Sequence, residues 1–351
     1  MIREQGRPVR TRPRATDRIR HRHRRRSTVP GNPSSGAGDW HHTGNTADPR
    51  FTDTPYWTNH DVIEAKELPE SIIVLGGGAI GAELTQVLAR FGVDVTIIEA
   101  ATRLLPLEEP EAGHLLSEVL EHESVTVVTG IGATRVNHDG RQFAVHLGDD
   151  RIVRAERLLV ATGRTVDLAA IGADVLGIDP TARSLPVDDH LRVADRVWAV
   201  GDITGKGTFT HIAMYQAGIV TADILDQPHA PADYHAVPRV TFTDPEVGSV
   251  GLSLQAAIDA GIDVAVGRAN VPSTARGWLH KAGNEGFITL VADHPRGVLV
   301  GATAMGPSGG EVLGLLSLAV HAAIPIDQLR TMIYAYPTFH RGVEDALKTL
   351  T

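Results

Sequence analysis

The chain contains no cysteine among its 351 residues. For this chain, that excludes a disulfide framework, a thiolate metal site and cysteine-based redox or nucleophilic chemistry. Lysine is nearly as scarce: Lys66, Lys206, Lys281 and Lys348 stand among 33 basic residues. Such an arginine excess points to a GC-rich genome rather than to a function. Aromatic residues make up 5%, and no apolar run reaches the roughly 18 residues that a membrane span needs. The first residues also lack the apolar core of a secretory signal, so a cytoplasmic protein with no membrane partner is expected.

What is present is a chain 42% hydrophobic and 21% charged, long enough for two or three domains. Its net charge of −9 hides an asymmetry: residues 1–26 hold eleven Arg against Glu4 and Asp17, so this stretch is +9 and the remainder −18. Residues 1–50 show neither helical nor strand period, and are expected to be a disordered basic segment. A nucleic-acid arm would bind by counterion release, but no aromatic interleaving or DNA-binding motif accompanies it, so nucleic acid is disfavoured as a partner. An organellar transit peptide would share the composition. The preferred reading is a stretch translated from a misplaced start or a shifted frame, because well-formed patterning begins abruptly after it. His41-His42 lacks a partner at ligand spacing, and no metal site is read.

Ser71-Ile72-Ile73-Val74-Leu75 reads as a buried parallel strand. It feeds Gly76-Gly77-Gly78-Ala79-Ile80-Gly81, then a helical pattern from Glu83 to Phe91 ended by Gly92, then a second strand closing on Glu99. A GxGxxG run alone is weak; with strand, helix, second strand and an acid at its end it reads as a dinucleotide fingerprint. Gly76 permits the tight turn, Gly78 lets a pyrophosphate approach, and Gly81 packs helix on strand. The helix start at Ala79 and Ile80 offers free N–H groups to phosphate. Glu99 would accept hydrogen bonds from a ribose diol and repel a 2′-phosphate, favouring NAD, while Arg103 leaves room for NADP.

Further on, residues 111–122 read as a helix, Val125 to Val128 as a strand, and 133–154 as an antiparallel meander. Two apolar strands end at glycine turns. One, Arg157 to Arg164, ends at Gly163, which either lets a ligand approach the backbone or is merely structural. The other, Val197 to Asp202, puts an acid at its tip, either a polyol acceptor or a cap for the helix near 209–225. After residue 236 five strands, a short helix (Leu254 to Ala260) and two helices near 309–323 and 326–334 suggest an α+β domain, closing through Tyr336-Pro337-Thr338.

The runs GGGAIGAEL (76–84), ATGR (161–164), WAVGD (198–202), FTHIA (209–213), FTDPEVGSVGL (242–252) and YPT (336–338) together resemble the class I pyridine nucleotide–disulfide oxidoreductases, in the mercuric reductase and dihydrolipoamide dehydrogenase branch. The resemblance implies a Rossmann-type FAD/NAD(P)-binding α/β domain followed by a C-terminal α+β dimerisation domain. It implies hydride transfer from NAD(P)H to FAD, and a homodimer. Gly76, Gly78, Ala79, Ile80, Gly81, Glu99 and Gly163 would then meet the nicotinamide dinucleotide. Asp202, with Thr210 and His211 nearby, would hold the FAD ribityl chain. Glu83 matches a glutamate that orients the nicotinamide toward the flavin. Tyr336 stands where thiol-processing members carry His and mercuric reductase-like members Tyr. Arg341 replaces an acid found five residues on in thiol-processing members, and His340 is out of register.

The family's FAD fingerprint and CxxxxC pair are not found in this chain, which looks like a member without its first ~120 residues, a domain-sized piece. The expected organisation is a 53–174 NAD(P)-binding domain, a 175–235 remnant of the FAD-binding domain and a 236–351 dimerisation domain. The expected function is flavin-dependent oxidoreduction to a small-molecule acceptor by a route without protein thiols. The alternative is a truncated, non-enzymatic remnant that binds a dinucleotide and dimerises.

Overall fold

The computed structural model describes residues 54–351, so the expectations for residues 1–50 lie outside the described residues. A short helix α1 (Asn59–Glu64) leads into β1 (Ser71–Leu75), α2 (Ala79–Arg90), β2 (Asp94–Glu99), α3 (Pro110–His122) and β3 (Thr126–Thr129). The meander β4 (Ala133–His138), β5 (Phe143–Leu147) and β6 (Ile152–Ala155) follows, then β7 (Arg157–Val160). The parallel sheet has the order β3-β2-β1-β7, with Ser71 opposite Asp94 and Ile72 opposite Arg157.

The apolar run of β1 divides by strand period. Ile72 and Val74 pack with α2 and α3 on one face, alongside Ala82, Leu88, Leu116 and Leu120. Ile73 and Leu75 pack on the other face against Phe143 and Val145 of the meander. Both faces are covered, which is why the strand reads as continuously apolar. In α3, Pro110 stands in the first turn, and Ala112, Leu116 and Leu120 recur at helical spacing on the buried side. Outside β7, Trp57 donates its amide to Leu158 and accepts that of Val160, shielding the sheet edge.

The next stretch differs from the sequence expectation. The strand read over Val197 to Asp202 shrinks to β9 (Val197–Trp198), paired antiparallel with β8 (Arg192–Ala194) and with no parallel neighbour among the described residues. The physical reason is an incomplete core: only Leu168, Ala173, Leu185 and Ala199 are buried together here, and Val200 is exposed. Helix α4 (Thr210–Ile224) buries Ile212, Gln216 and Ile219, but Met214, Tyr215 and Ile224 stay exposed.

The chain then builds β10 (Pro238–Thr241), β11 (Glu246–Gly251), α5 (Leu254–Asp259), β12 (Val264–Asn270), α6 (Ala275–His280), β13 (Phe287–Asp293) and β14 (Val298–Gly306). Helices α7 (Gly309–His321), α8 (Ile326–Thr331) and α9 (Gly342–Lys348) complete it. The antiparallel sheet has the order β10-β11-β14-β13-β12. The α7 residues Val312, Leu316 and Ala319 are buried in this domain's own core, with Leu315 packed against it. A sheet of small and β-branched residues needs that helix to cover it. No helix among the described residues is long and apolar enough to cross a membrane.

Candidate dinucleotide site

The glycine turn is shaped by close backbone approach. Gly76 has φ +106°, and a Cβ there would lie 2.4 Å from the Ala161 carbonyl oxygen. A Cβ on Gly81 would come within 1.9 Å of the Gly76 carbonyl oxygen, so this glycine lets α2 pack on the turn. Gly78 faces open space, with nothing within 4 Å of a Cβ position, as expected of a cradle that a ligand fills. It also caps α2 without a side-chain bond. By helix geometry the amides of Ala79, Ile80 and Gly81 have no intrahelical acceptor and present partial positive charge.

Glu99 ends β2 beside this turn. Its Oε2 accepts the Gly77 amide at 2.6 Å and its Oε1 the Ala101 amide at 2.7 Å. A cavity of about 240 Å³ opens here, lined by Gly76, Glu99, Ala100, Gly132 and Thr162 among others. Gly163 follows at φ +130°, again with open space at its Cβ position. Arg103 turns away: its Nη2 donates to the carbonyls of Pro106 at 3.0 Å and Glu108 at 3.3 Å. A larger cleft of about 580 Å³ lies between α3 and α5, lined by Glu109, His114 and Arg268, and contains none of the sequence-expected residues.

Glu83 lies in α2 and accepts the Phe242 amide at 2.8 Å. Burial pushes its carboxyl above the ordinary glutamate value, and the Phe242 bond opposes that rise. Sequence reasoning missed the rest of this clamp. Gln86 donates to the Asp244 carbonyl at 2.8 Å and accepts the Asp244 amide at 2.7 Å. Arg90 pairs with Glu123 at 2.6 Å and Asp244 at 3.0 Å. The signal available was a polar stripe, Glu83, Gln86 and Arg90, at helical spacing on an otherwise core-facing helix.

Asp202 pairs with Arg164 at 2.9 Å, and Arg164 also donates to the Thr208 carbonyl at 2.7 Å. This brings the 161–164 turn beside the 198–202 turn. Thr210 begins α4, and the His211 ring donates to the Pro238 carbonyl at 2.9 Å. Tyr336 is 70% exposed, with the Arg341 guanidinium 5.3 Å from its ring centre. No contact joins Tyr336 to the glycine turn or to Asp202.

A β-α-β unit with a glycine turn, an acid at the second strand end and a cavity between them defines a dinucleotide-binding protein. The description "pyridine nucleotide-disulphide oxidoreductase" matches residues 23–217, and that family's dimerisation domain matches residues 237–347. The chain belongs to this family. It is 33% identical over 301 residues to dihydrolipoyl dehydrogenase of Mycobacterium leprae, covering 84% of this chain and 64% of that protein. It is 30% identical over 306 residues to mercuric reductase of Bacillus cereus, covering 86% and 48%. Among solved structures, the HOCl-induced flavoprotein disulfide reductase RclA from Escherichia coli superposes with a TM-score of 0.77 at 28% identity, covering 86% of this chain and 69% of that one. LpdA from Mycobacterium tuberculosis gives 0.75 at 26%, covering 83% and 64%. The chain thus spans less than two thirds of the length of these two curated relatives.

Proposed function

We propose that the chain is an NAD(P)H-binding, FAD-dependent oxidoreductase serving a small-molecule acceptor that needs no protein thiol, such as a quinone. The carrying observation is Glu99, braced by two amides beside an open cavity at the start of α2. Its remaining lone pairs suit a ribose diol, and its charge opposes a 2′-phosphate. With Arg103 held on its own carbonyls, NAD is preferred over NADP. The Ala79, Ile80 and Gly81 amides serve the pyrophosphate, with Gly76, Gly78 and Gly163 leaving the backbone open to it.

FAD, when bound, accepts two electrons from the nicotinamide and passes them on. Asp202 suits a ribityl chain because it stays about one-third exposed despite its Arg164 pair, and Thr210 and His211 stand at the helix start. Glu83 orients the nicotinamide, and Tyr336 is the side chain offered toward a substrate. The described residues contain one glycine-rich phosphate turn and this proposal assigns it to NAD, so FAD is held weakly and turnover is slow. The organisation into residues 53–174, 175–235 and 236–351 belongs to the same proposal, as do a cytoplasmic location and a homodimer through the last unit. Exposed Trp278, Ile333 and Tyr336 support the homodimer.

Titrating the purified chain with NADH, NADPH and FAD tests this reading. NADH is expected to bind more tightly than NADPH, and FAD to bind weakly but measurably. Full NADH binding with no FAD uptake at any concentration would favour the non-enzymatic remnant.

A further inference from the structure

His190, Asp223 and His229 come from three separate segments: the loop before β8, the end of α4, and the connection that follows it. One ligand atom from each lies within 4.8 Å of the others. Asp223 is nearly buried, and Arg192 grips it through Nε at 2.7 Å and Nη2 at 2.6 Å. Trp198 Nε1 donates to it at 2.7 Å.

His229 is oriented from behind. Its Nδ1 lies 3.0 Å from the Ala230 carbonyl oxygen, and because a carbonyl only accepts, Nδ1 carries the proton. Its Nε2 faces Asp223 Oδ1, 3.4 Å away. A ring nitrogen and a carboxylate oxygen at that spacing are joined either by a proton on the nitrogen or by a cation that both atoms ligate. Ligand bonds of about 2.0–2.1 Å meeting near the tetrahedral angle put donor atoms about 3.4 Å apart. His190 supplies the second observation: its Nδ1 is buried without a hydrogen-bond partner, although the ring as a whole is 38% exposed. The two imidazoles meet edge-on, centres 4.9 Å apart. The three ligand atoms already lie within 4.8 Å of one another, and rotation of the partly exposed His190 ring adjusts that spacing.

We propose that His190, Asp223 and His229 bind a divalent first-row transition ion such as Zn²⁺, with a fourth position left to water. Arg192 already offsets the carboxylate charge, so selectivity rests on the imidazoles. These favour Zn²⁺, Co²⁺, Ni²⁺ or Cu²⁺ over Mg²⁺ and Ca²⁺. Arg192, Trp198 and the Ala230 carbonyl serve as outer partners that fix the ligands in place. The bound ion ties the β8–β9 hairpin to the end of α4 and to the connection leading into β10, in the region with the smallest core.

The test compares the full chain with the His190→Ala/His229→Ala double variant by Zn²⁺ titration, Co²⁺ absorption and hydrogen exchange. The wild-type chain should take up one more equivalent of Zn²⁺ than the double variant. Its Co²⁺ form should show visible ligand-field bands that the variant lacks, and Zn²⁺ should slow amide exchange over residues 226–232 only in the wild type. The single variant His190→Asn, at a partly exposed site, should lose the same equivalent and guards against misfolding of the double variant. Equal stoichiometry and equal spectra in all three chains would assign the uptake to other histidines and overturn the proposal.

Discussion

Glu99 accepts the Gly77 amide at 2.6 Å, so the acid that ends β2 also holds the middle of the glycine turn. Turn shape and ribose recognition therefore depend on one carboxylate. Glu99→Ala should weaken NADH about tenfold or more, the scale of a lost charge-assisted hydrogen bond. NADPH should lose less, narrowing or reversing the preference. Parallel fluorescence titrations check this; an unchanged NADH/NADPH ratio would contradict the role given to Glu99.

The glycines separate binding from folding. Gly78→Ala adds a methyl group into open space, so stability should stay within about 0.5 kcal/mol while NADH binding falls sharply. Gly81→Ala collides with the Gly76 carbonyl oxygen and should cost about 1–3 kcal/mol. Denaturant unfolding alongside NADH titration distinguishes the two.

Glu83 gives a pH signature with a definite sign. Burial raises its folded value above 4.5, so the folded state prefers the protonated acid. Its contribution is fully present below pH 4.5 and is lost as pH rises through the raised value. Glu83→Gln should keep an acceptor for the Phe242 amide and remove this dependence. Melting temperatures from pH 4.5 to 7 should therefore fall more in the wild type than in the variant.

Association and core packing should respond to different leucine-sized residues. Ile333 is 96% exposed, so Ile333→Glu should leave monomer stability intact and shift sedimentation toward monomer at micromolar concentration. Leu316 is fully buried, and Leu316→Ala should cost about 2–5 kcal/mol by leaving a cavity.

The β-α-β unit was legible because each signal was local: an apolar run, a glycine turn, a helical stripe and a terminal acid within 71–99. The meander and the antiparallel sheet were legible for the same reason, through alternation and turn residues. Helix α6 was missed because six residues with an exposed Trp278 carry no period. Helix α9 did carry one, in Val343, Ala346, Leu347 and Leu350, but it lies beyond Tyr336-Pro337-Thr338, the last element expected from the sequence. The Val197 strand failed for a non-local reason, since an apolar run becomes a long strand only where neighbours pair with it. Likewise, no sequence spacing announces that His190, Asp223 and His229 meet.

The proposed chemistry is hydride transfer from a bound nicotinamide to an acceptor without a protein thiol. Its most direct measurement is NADH oxidation by the purified 351-residue chain with added FAD, using a quinone, a disulfide and mercuric ion in turn. Slow, FAD-dependent turnover is expected with the quinone and none with the disulfide or mercuric ion, because thiolate chemistry has no substitute among these side chains. Robust reduction of a disulfide or of mercuric ion, or no FAD-dependent NADH oxidation with any acceptor, would contradict it.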